Sequence, residues 1–315
     1  MKKNLLKALV VTCMTSIMLM GCGSTGSEKA DTTTETITVT DVRGEVKIPK
    51  DPKRIVDLSG NSDILSILGY KVVGTANSDA YDYTKFPSYL EDTLEGAEIL
   101  GYSMQDTMDV EAIMNLNPDL IVISTVQEKM YDQLSEIAPT VMIKLEALDW
   151  KEDIKSFAEV FGKEDAANKW LADYEAKSEK AGDKIKAEYG EDTTYLSFLA
   201  SGGQFFIFDK AGFGDVLYDD MDLAKPAGMP EQSDISLPVV TYEGLAAIDT
   251  DYIFLIATAE DLAELEKNAV WNSLPAVQAG HVVVLNSSPY FNQGYSPIGR
   301  ELLVDEIGGM LDETK

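Results

Sequence analysis

Residues 52–69 read PKRIVDLSGNSDILSILG, and this stretch decides the fold. Residues 54–58 are typical of a short buried strand, and residues 59–62 are small and polar, as in a turn. Residues 63–68 then place apolar side chains at helical spacing and end at Gly69, a residue type that often terminates helices. The stretch therefore predicts a strand, a turn and a helix, with a second strand at residues 71–74.

A second strand-forming unit occurs twice in the chain. Residues 111–121 read EAIMNLNPDLI, and residues 243–253 read EGLAAIDTDYI, so that glutamate, aspartate and apolar positions coincide without a gap. Each copy predicts a short helix, a turn and a buried strand. The repeat favours two lobes of similar topology with largely parallel sheets covered by helices. The competing interpretation is that such patterns arise independently in amphipathic helices.

A long one-faced helix separates the two copies. From Glu164 to Tyr189, apolar residues recur at spacings of three, four or seven, which predicts a helix about 39 Å long. We therefore expect an N-terminal lobe at residues 37–161, a linker or spine helix at residues 162–190, and a C-terminal lobe at residues 191–315. The expected fold class is α/β, with a mostly parallel sheet flanked by helices in each lobe. A small hairpin is predicted around Arg43 and Gly44.

The N-terminus has the features of an export signal. Three lysines precede an apolar run at residues 8–20, which is shorter than the ~20 residues that a membrane span needs. The run ends in Leu19-Met20-Gly21-Cys22, which resembles the bacterial lipobox. We expect residues 1–21 to be a removed signal peptide, Cys22 to be lipidated, and residues 22–36 to be a flexible tether at the extracytoplasmic face of the cell membrane. The alternative is a plain signal with a chance cysteine.

The charge and the missing motifs exclude several classes of function. Against 54 Asp and Glu residues the chain has 26 Lys and Arg residues, a net charge of −28, which disfavours nucleic-acid binding. The single histidine, His281, is expected to be a structural residue at the start of a strand. No P-loop, dinucleotide glycine pattern or His and Cys cluster occurs. We expect no catalytic residue, no cofactor and no metal held by the protein itself.

Several segments together carry a resemblance to a known family. They are the lipobox, residues 52–69, the paired segments VEAIMNLNPDLIVIS and TYEGLAAIDTDYIFLI, the spine segment FGKEDAANKWLADY, and VWNSLPAVQAGHVVVL before the last strand. Over nearly its whole length the chain resembles the periplasmic-binding-protein-like lipoproteins that feed iron-siderophore, heme and cobalamin importers of the ABC type. The resemblance implies two α/β lobes joined by one long helix, with the ligand held between them.

The resemblance also implies how the protein meets its transporter. Family members place a glutamate on the outer rim of each lobe, where it meets arginines of the membrane permease. The matching positions here are Glu111 and Glu243. A carboxylate at a helix start suits the positive end of the helix dipole and stays exposed to pair with arginine. The alternative is that both residues are ordinary helix-start acids. The implied partners are an iron-siderophore ABC permease and its cytoplasmic ATPase, and we expect a monomer.

The ligand site is expected in loops at the carboxyl ends of the strands, where open α/β sheets bind ligands. Residues 290–295 are interpreted as a loop, and Arg300 suits a hydroxamate or carboxylate oxygen. For each aromatic residue the alternative is core packing, and for Arg300 it is a surface position at a helix start. The expected ligand-binding residues are Asn61, Tyr102, Met104, Thr125, Gln127, Phe206, Lys210, Tyr290, Phe291, Tyr295 and Arg300.

These features favour a binding protein for a ferric siderophore, with the iron coordinated by the siderophore. The few cationic candidates favour a hydroxamate or citrate-hydroxamate chelate over a triply anionic catecholate. Two alternatives stay open. One is heme or cobalamin in the same fold with Met104 as an axial ligand, although heme-binding relatives carry a histidine where this chain has Ala257-Thr258. The other is an extracytoplasmic hydrolase that uses Ser296.

Overall fold

The unit predicted at residues 52–69 forms the centre of the first of two five-stranded sheets. The structure is a computed structural model, which describes residues 35–146 and 148–314. The expected signal peptide, the lipidated Cys22 and most of the expected tether lie outside the described residues. No helix within those described ranges is both long and apolar enough to cross a membrane.

The N-terminal lobe is built on a parallel sheet that is covered on both faces. Ile55 packs into the core on one face and Val56 into the core on the other, and neither side chain is exposed. After a hairpin of β1 (Thr36–Asp41) and β2 (Gly44–Pro49), the sheet strands are β3 (Ile55–Asp57), β4 (Val72–Thr75), β5 (Glu98–Ile99), β6 (Leu120–Ser124) and β7 (Thr140–Ile143). Their order across the sheet is β5-β4-β3-β6-β7. The helices are α1 (Ser62–Ile67), α2 (Val110–Asn115), α3 (Tyr131–Ser135) and α4 (Trp150–Phe161), with 3₁₀ turns at Ser88–Leu90 and Thr125–Met130.

The spine helix α5 (Glu164–Tyr189) has the bounds that the apolar spacing predicts. Its first half packs into the core of the N-terminal lobe through Ala167 and Leu171. From Tyr174 onwards it packs into the core of the C-terminal lobe, through Tyr174 and Ile185. One continuous helix therefore belongs to both lobes and joins them. The lobe limits proposed around it stay predictions.

The spine lies closest to the C-terminal lobe at Gly182. A Cβ atom at this position would lie 1.9 Å from the carbonyl oxygen of Met221, much closer than any real contact. Glycine therefore lets the helix pack directly on the backbone of the lobe.

The C-terminal lobe repeats this arrangement with a mixed sheet. Its strands are β8 (Tyr195–Ser201), β9 (Gln204–Ile207), β10 (Val239–Val240), β11 (Tyr252–Ala257) and β12 (Val282–Asn286). The order is β10-β9-β8-β11-β12, in which β8, β11 and β12 are parallel and the other two pair antiparallel. The helices are α6 (Gly212–Asp215), α7 (Tyr242–Ala246), α8 (Ala259–Leu265), α9 (Pro275–Ala279), α10 (Ser287–Gln293) and α11 (Pro297–Asp312), with a π turn at Val216–Asp220 and a 3₁₀ turn at Trp271–Ser273.

The internal repeat appears in the structure as two equivalent aspartate contacts. Asp119, just before β6, accepts hydrogen bonds from the backbone N–H groups of Lys53 at 2.7 Å and Arg54 at 2.9 Å. Asp251, just before β11, accepts from the backbone N–H and the hydroxyl of Thr194, both at 2.8 Å. In each lobe the repeated aspartate joins the starts of two neighbouring parallel strands. The predicted duplication of a helix, turn and strand is therefore confirmed.

A buried arginine connects the elements at the junction of the lobes. Arg300, near the start of α11, is 2% exposed and donates to Asp220 and Asp215, each at 2.7 Å. Its guanidinium carbon lies 4.6 Å from the ring centroid of Trp150, the first residue of α4. The hydroxyl of Tyr174 on the spine donates to the same Asp220 carboxylate at 2.6 Å. Helices α4, α5 and α11 thus meet on one ionic group.

Replacement of this arginine is expected to destabilise the whole protein. In Arg300→Met the carboxylate of Asp215 stays buried without a cation and Asp220 keeps only Lys151, 3.3 Å away, so the free energy of unfolding should fall by about 3–5 kcal/mol. Urea denaturation followed by tryptophan fluorescence measures this change.

The matched control is Arg43→Met. Arg43 lies at the surface, where its guanidinium is 3.6 Å from Asp132 and its side chain is 42% exposed. An exposed pair of this kind contributes at most about 1 kcal/mol. Equal stability losses in the two variants would refute the structural role of Arg300.

Candidate functional site

A cavity of about 430 Å³ lies between the two lobes. The N-terminal lobe contributes the segments that follow β3, β4 and β5, and the C-terminal lobe contributes residues before β10 and around α10 and α11. The lining positions are 59–61, 63, 76–78, 87, 89, 102–104, 145, 146, 153, 235, 237, 291, 292, 295 and 296. The carboxyl ends of parallel strands are where α/β proteins bind ligands, and the volume is that of a small-molecule site. We call this space the interlobe cavity.

A buried aspartate shapes the turn that borders the interlobe cavity. Asp57 ends β3 and is fully buried. One carboxylate oxygen accepts from the N–H and the hydroxyl of Ser59 at 3.0 and 2.6 Å, and the other accepts from the N–H of Asn61 at 3.1 Å and the hydroxyl of Ser62 at 2.6 Å. Burial raises the pKa of this carboxyl although these hydrogen bonds oppose the shift. The turn is therefore held by hydrogen bonds without a cation.

The tip of this turn requires glycine. Gly60 has a φ of +84°, and a Cβ atom there would lie 2.4 Å from the Cβ of Ser103 on the opposite loop. The side chain of Asn77 fixes the turn from its other side by donating to the Gly60 carbonyl at 2.7 Å. Two loops of the N-terminal lobe can therefore approach each other at the wall of the interlobe cavity.

Asp63 and Ser296 form a hydrogen bond between the lobes at the interlobe cavity. The Ser296 hydroxyl, at the N-terminus of α11, donates to the Asp63 carboxylate at 2.5 Å and accepts from the Gly299 N–H at 3.1 Å. Burial raises the pKa of Asp63 to about 6, although the bond from Ser296 opposes the shift. Both hydrogen-bonding roles of this serine are therefore structural.

The geometry gives Ser296 no histidine base. His281 lies at the amino end of β12, where its ring stacks on Tyr252 with centroids 4.4 Å apart, whereas Ser296 follows the carboxyl end of that strand. Its Nδ1 atom lies 3.1 Å from the carbonyl of Asp251. His281 occupies the strand-entry position that the sequence predicts.

A second set of contacts crosses between the lobes beside the first. The Ser288 hydroxyl donates to the Asp79 carboxylate. Next to it the ring of Tyr81 meets the ring of Phe291 edge to face, with centroids 6.1 Å apart. The two lobes thus touch through serine–aspartate hydrogen bonds and an aromatic pair.

The wall of the interlobe cavity is aromatic and apolar on both sides. From the N-terminal lobe, Tyr102 stacks on Tyr83 with centroids 5.0 Å apart, and Met104 is 67% exposed. From the C-terminal lobe, Ile235 is 50% exposed and Leu237 is partly buried. Exposed apolar side chains that face each other across a cleft are typical of a ligand-binding surface.

Two further cavities continue the cleft towards the spine. A small one of about 70 Å³ shares Glu146, Asp153 and Tyr295 with the interlobe cavity. A larger one of about 440 Å³ shares Trp150 and Lys210 with the small one. The cleft therefore extends well beyond the interlobe cavity.

Most side chains that line the 440 Å³ cavity are charged, and four of them pair with one another. The ammonium of Lys225 lies 2.6 Å from Asp209, and that of Lys151 lies 3.4 Å from Asp219. These groups neutralise each other, whereas the interlobe cavity offers apolar surface from both lobes. The interlobe cavity is therefore the candidate ligand site.

The structure brings together some of the sequence-predicted ligand residues and not others. Those that line the interlobe cavity are Asn61, Tyr102, Met104, Phe291 and Tyr295. Lys210 lines the two adjoining cavities. Thr125, Phe206 and Tyr290 line none of the three. Of residues 290–295, interpreted from sequence as a loop, residues 290–293 belong to α10, and Tyr290 on this helix packs against the core of the C-terminal lobe.

Two of the predicted ligand residues use their polar groups in contacts within the protein. Gln127 is fully buried, and its amide donates to the carbonyls of Ser103 at 2.6 Å and Gln105 at 3.0 Å. Arg300 is enclosed by the carboxylates and the ring described above, so it is neither a surface residue nor an open cation. Both expectations of ligand contact are corrected, because the polar groups involved are used inside the fold.

Sequence reasoning missed several residues of the interlobe cavity. Ile235 and Leu237 lie in an irregular segment, and their apolar side chains between polar neighbours were an available signal. Asp63 and Asp153 look like ordinary acids in the first turn of a helix. Nothing in the local sequence of these two aspartates distinguishes them from solvated acids.

The two proposed docking glutamates occupy equivalent places in the two lobes. Glu111 lies in the first turn of α2, after the capping residue Asp109, and Glu243 lies in the first turn of α7, after the capping residue Thr241. Both glutamates are exposed. Hydrogen bonds from its own backbone and from the Thr241 hydroxyl lower the pKa of Glu243, so this carboxylate is ionised at neutral pH. Both positions are available to a partner's cations.

Metal-ligating side chains are scattered in the structure. Within residues 35–146 and 148–314, no group of three or more His, Cys, Asp or Glu side chains is arranged to hold a metal ion. Thr258, next to the position discussed for heme, caps α8 by accepting from the N–H of Asp261 at 3.1 Å.

Comparison with known proteins places these features in a family. Residues 60–289 match the family described as periplasmic binding protein. This match includes the lining of the interlobe cavity except for Ser59 and the last lining residues, at positions 291–296.

Individual relatives agree with the family match. The iron(3+)-hydroxamate-binding protein FhuD of Bacillus subtilis is 32% identical over 87% of this chain and 87% of its own length. The probable siderophore-binding lipoprotein YfiY of Bacillus subtilis is 29% identical over the full length of both chains. A solved FhuD fold-family structure from Bacillus subtilis, described as a periplasmic binding protein component of a Fep/Fec-like ferrichrome ABC transporter, is 30% identical. It has a TM-score of 0.69 over 86% of this chain and 98% of that chain.

The Asp63 carboxyl predicts a specific pH dependence of stability. Its pKa is about 6 in the folded protein and about 4 in an unfolded chain, so between these values the folded state holds more protons. The free energy of unfolding should therefore fall as pH rises from 4 to 7. In Asp63→Asn this fall should be smaller by about 2 kcal/mol, as measured by urea denaturation at several pH values.

The control is Asp92→Asn, at an exposed aspartate. It should follow the pH dependence of the unmodified protein. The same dependence in Asp63→Asn would contradict the assignment.

Proposed function

We propose that this chain, which belongs to the periplasmic binding protein family, captures a ferric siderophore between its lobes and delivers it to an ABC permease. The observation that carries the proposal is the interlobe cavity, which is formed by both lobes at the ends of the parallel strands. Its lining combines aromatic and apolar side chains with uncharged polar groups and three carboxyls, and among the described residues it contains no lysine, arginine or histidine. A chelate of the hydroxamate or citrate-hydroxamate type suits this surface best.

Charge supports the choice of chelate. Three hydroxamates balance the charge of Fe³⁺, so a ferric trihydroxamate core is neutral and suits an apolar wall. A ferric tris-catecholate carries three negative charges and requires cations from the protein. Relatives named for hydroxamate binding are consistent with this preference.

The iron enters as cargo inside the chelate. The siderophore supplies the iron ligands, and the protein contacts its outer surface through side chains such as Tyr102 and Phe291. No bond is made or broken in this process, so the protein acts by binding and is not an enzyme.

Delivery requires contact with the membrane components of the importer. Glu111 and Glu243 lie exposed at equivalent helix starts of the two lobes, where they can pair with arginines of the permease. ATP hydrolysis by the cytoplasmic ATPase then drives transport. Lipidation of Cys22, outside the described residues, holds the protein at the extracytoplasmic face of the cell membrane.

Binding is tested by tryptophan fluorescence of the mature chain during titration with ferric hydroxamate, citrate and catecholate siderophores, heme and cobalamin. Trp150 lines the cavities that adjoin the interlobe cavity and supplies a nearby signal. We expect saturable quenching by a ferric hydroxamate. The variant Met104→Ala should weaken this binding by about fivefold, because it removes apolar surface from the wall.

The control is Met114→Ala, since Met114 is similarly exposed, at 52%, but lies on α2 outside the interlobe cavity. It should bind as the unmodified protein does. If only heme or cobalamin binds tightly, the proposed ligand is wrong. If the two methionine variants weaken binding equally, the interlobe cavity is not the binding site.

Docking is tested by charge reversal in cells. The double variant Glu111→Lys, Glu243→Lys should abolish uptake of the ferric siderophore, because lysines repel the arginines of the permease, while the affinity for the chelate stays unchanged. Uptake of radioactive iron and fluorescence titration measure the two quantities.

The control carries the same change of charge elsewhere. Glu128→Lys with Glu260→Lys alters two exposed glutamates that lie near the starts of other helical segments. Uptake should continue in this variant. Normal uptake with both docking positions reversed would disprove the docking role.

A further inference from the structure

The charged residues that line the interlobe cavity are all acidic. They are Asp63, Glu146 and Asp153. Asp63 accepts the hydrogen bond from Ser296, and the Glu146 carboxylate lies 2.6 Å from the ammonium of Lys144. Glu146 therefore has a cationic partner, and Asp63 is used in the hydrogen bond between the lobes.

Asp153 differs from the other two. It lies in the first turn of α4, is half-buried, and lines both the interlobe cavity and the small cavity beside it. One of its carboxylate oxygens accepts from the N–H of Glu146 at 2.7 Å. Within the described residues no lysine, arginine or histidine forms an ion pair with it. The carboxylate thus faces ligand-sized space with a single neutral hydrogen bond.

The surrounding charges do not supply the missing cation. Burial, together with the neighbouring carboxylates of Glu146, Asp149 and Glu152, raises the pKa of Asp153 to about 7, although the hydrogen bond from the Glu146 N–H opposes the shift. Arg300 lines the same small cavity, but Asp215 and Asp220 hold its guanidinium. Lys210 also lines that small cavity and is absent from the lining of the interlobe cavity. The interlobe cavity therefore presents negative charge at this end.

We propose that the site prefers a ferric hydroxamate that carries a primary ammonium group, and that this ammonium pairs with the Asp153 carboxylate. The inference rests on the proposed function and specifies its ligand class. Because the ferric trihydroxamate core is neutral, the charge of such a chelate is set by its tail. An ammonium on that tail supplies the cation that Asp153 lacks in a cavity partly shielded from water.

The test compares two chelates that differ only in this charge. One is a linear ferric trihydroxamate that ends in a free primary amine, and the other is the same compound with the amine acetylated. The protein should bind the amine form about five- to tenfold more tightly at pH 8, as measured by fluorescence titration. In Asp153→Asn this preference should disappear, with the affinity for the acetylated form unchanged.

The matched control is Glu152→Gln, which removes one negative charge from the neighbouring residue of α4. Glu152 is exposed, lies 3.2 Å from Lys155, and lines none of the three cavities. This variant should keep the preference for the amine form. A general effect of net charge would change both variants alike.

The outcomes separate this inference from the function on which it rests. Equal binding of the two chelates by the unmodified protein, or a preference that persists in Asp153→Asn, overturns the ammonium pairing and leaves siderophore capture intact. Absence of binding to both chelates overturns siderophore capture and the pairing together. Retained binding of the acetylated form by Asp153→Asn shows that this variant is folded.

Discussion

The arrangement of the lobes depends on one buried cation. Arg300 would be highly unfavourable in the interior on its own. The carboxylates of Asp215 and Asp220 have it as their nearest cation, at 2.7 Å, and Asp220 has Lys151 at 3.3 Å as a second one. Each of these groups is stable only if the others are in place, together with the ring of Trp150 and the hydroxyl of Tyr174. The charges of this group are balanced only when α4, the spine and α11 are correctly positioned. The group therefore favours one relative arrangement of these three helices. In a chain with so few arginines, this use of one of them is structural.

Pairing with buried or nearby carboxylates also explains why the cleft contains few unpaired cations. Lysines at the spine end are paired with Asp209, Asp219 and Asp220, and so take part in the architecture of the C-terminal lobe. The interlobe cavity is instead surrounded by hydroxyls, amides and rings that satisfy one another, as in the turn around Asp57. What this leaves for a ligand is apolar surface and the Asp153 carboxylate, which has a single backbone hydrogen bond. Selectivity in such a site arises from the charge of the ligand as well as its shape.

Local patterns in the sequence predicted the fold because each of them marks where a helix or a strand begins or ends. The apolar spacing of α5, the glycine after α1 and the repeated aspartates before β6 and β11 all report contacts within one lobe or one element. The site was predicted only in part. Gln127 and Arg300 had the residue type and position of ligand contacts, but their partners at Ser103, Asp215 and Asp220 are distant in sequence. The role of Asp153 likewise depends on its position at the interlobe cavity, and the spacing of apolar residues in a helix does not predict that position.

The single-helix link between the lobes determines how the protein can move. Every turn of α5 is closed by backbone hydrogen bonds, so the link contains no loop whose torsions could rotate freely, and Gly182 holds it against the backbone of one lobe. The lobes can therefore shift only by elastic bending of the spine and by exchange of the serine–aspartate contacts at the cleft. Such a protein meets its ligand with the site already assembled. Differences in affinity between chelates should then appear as differences in residence time rather than in a slow closing step.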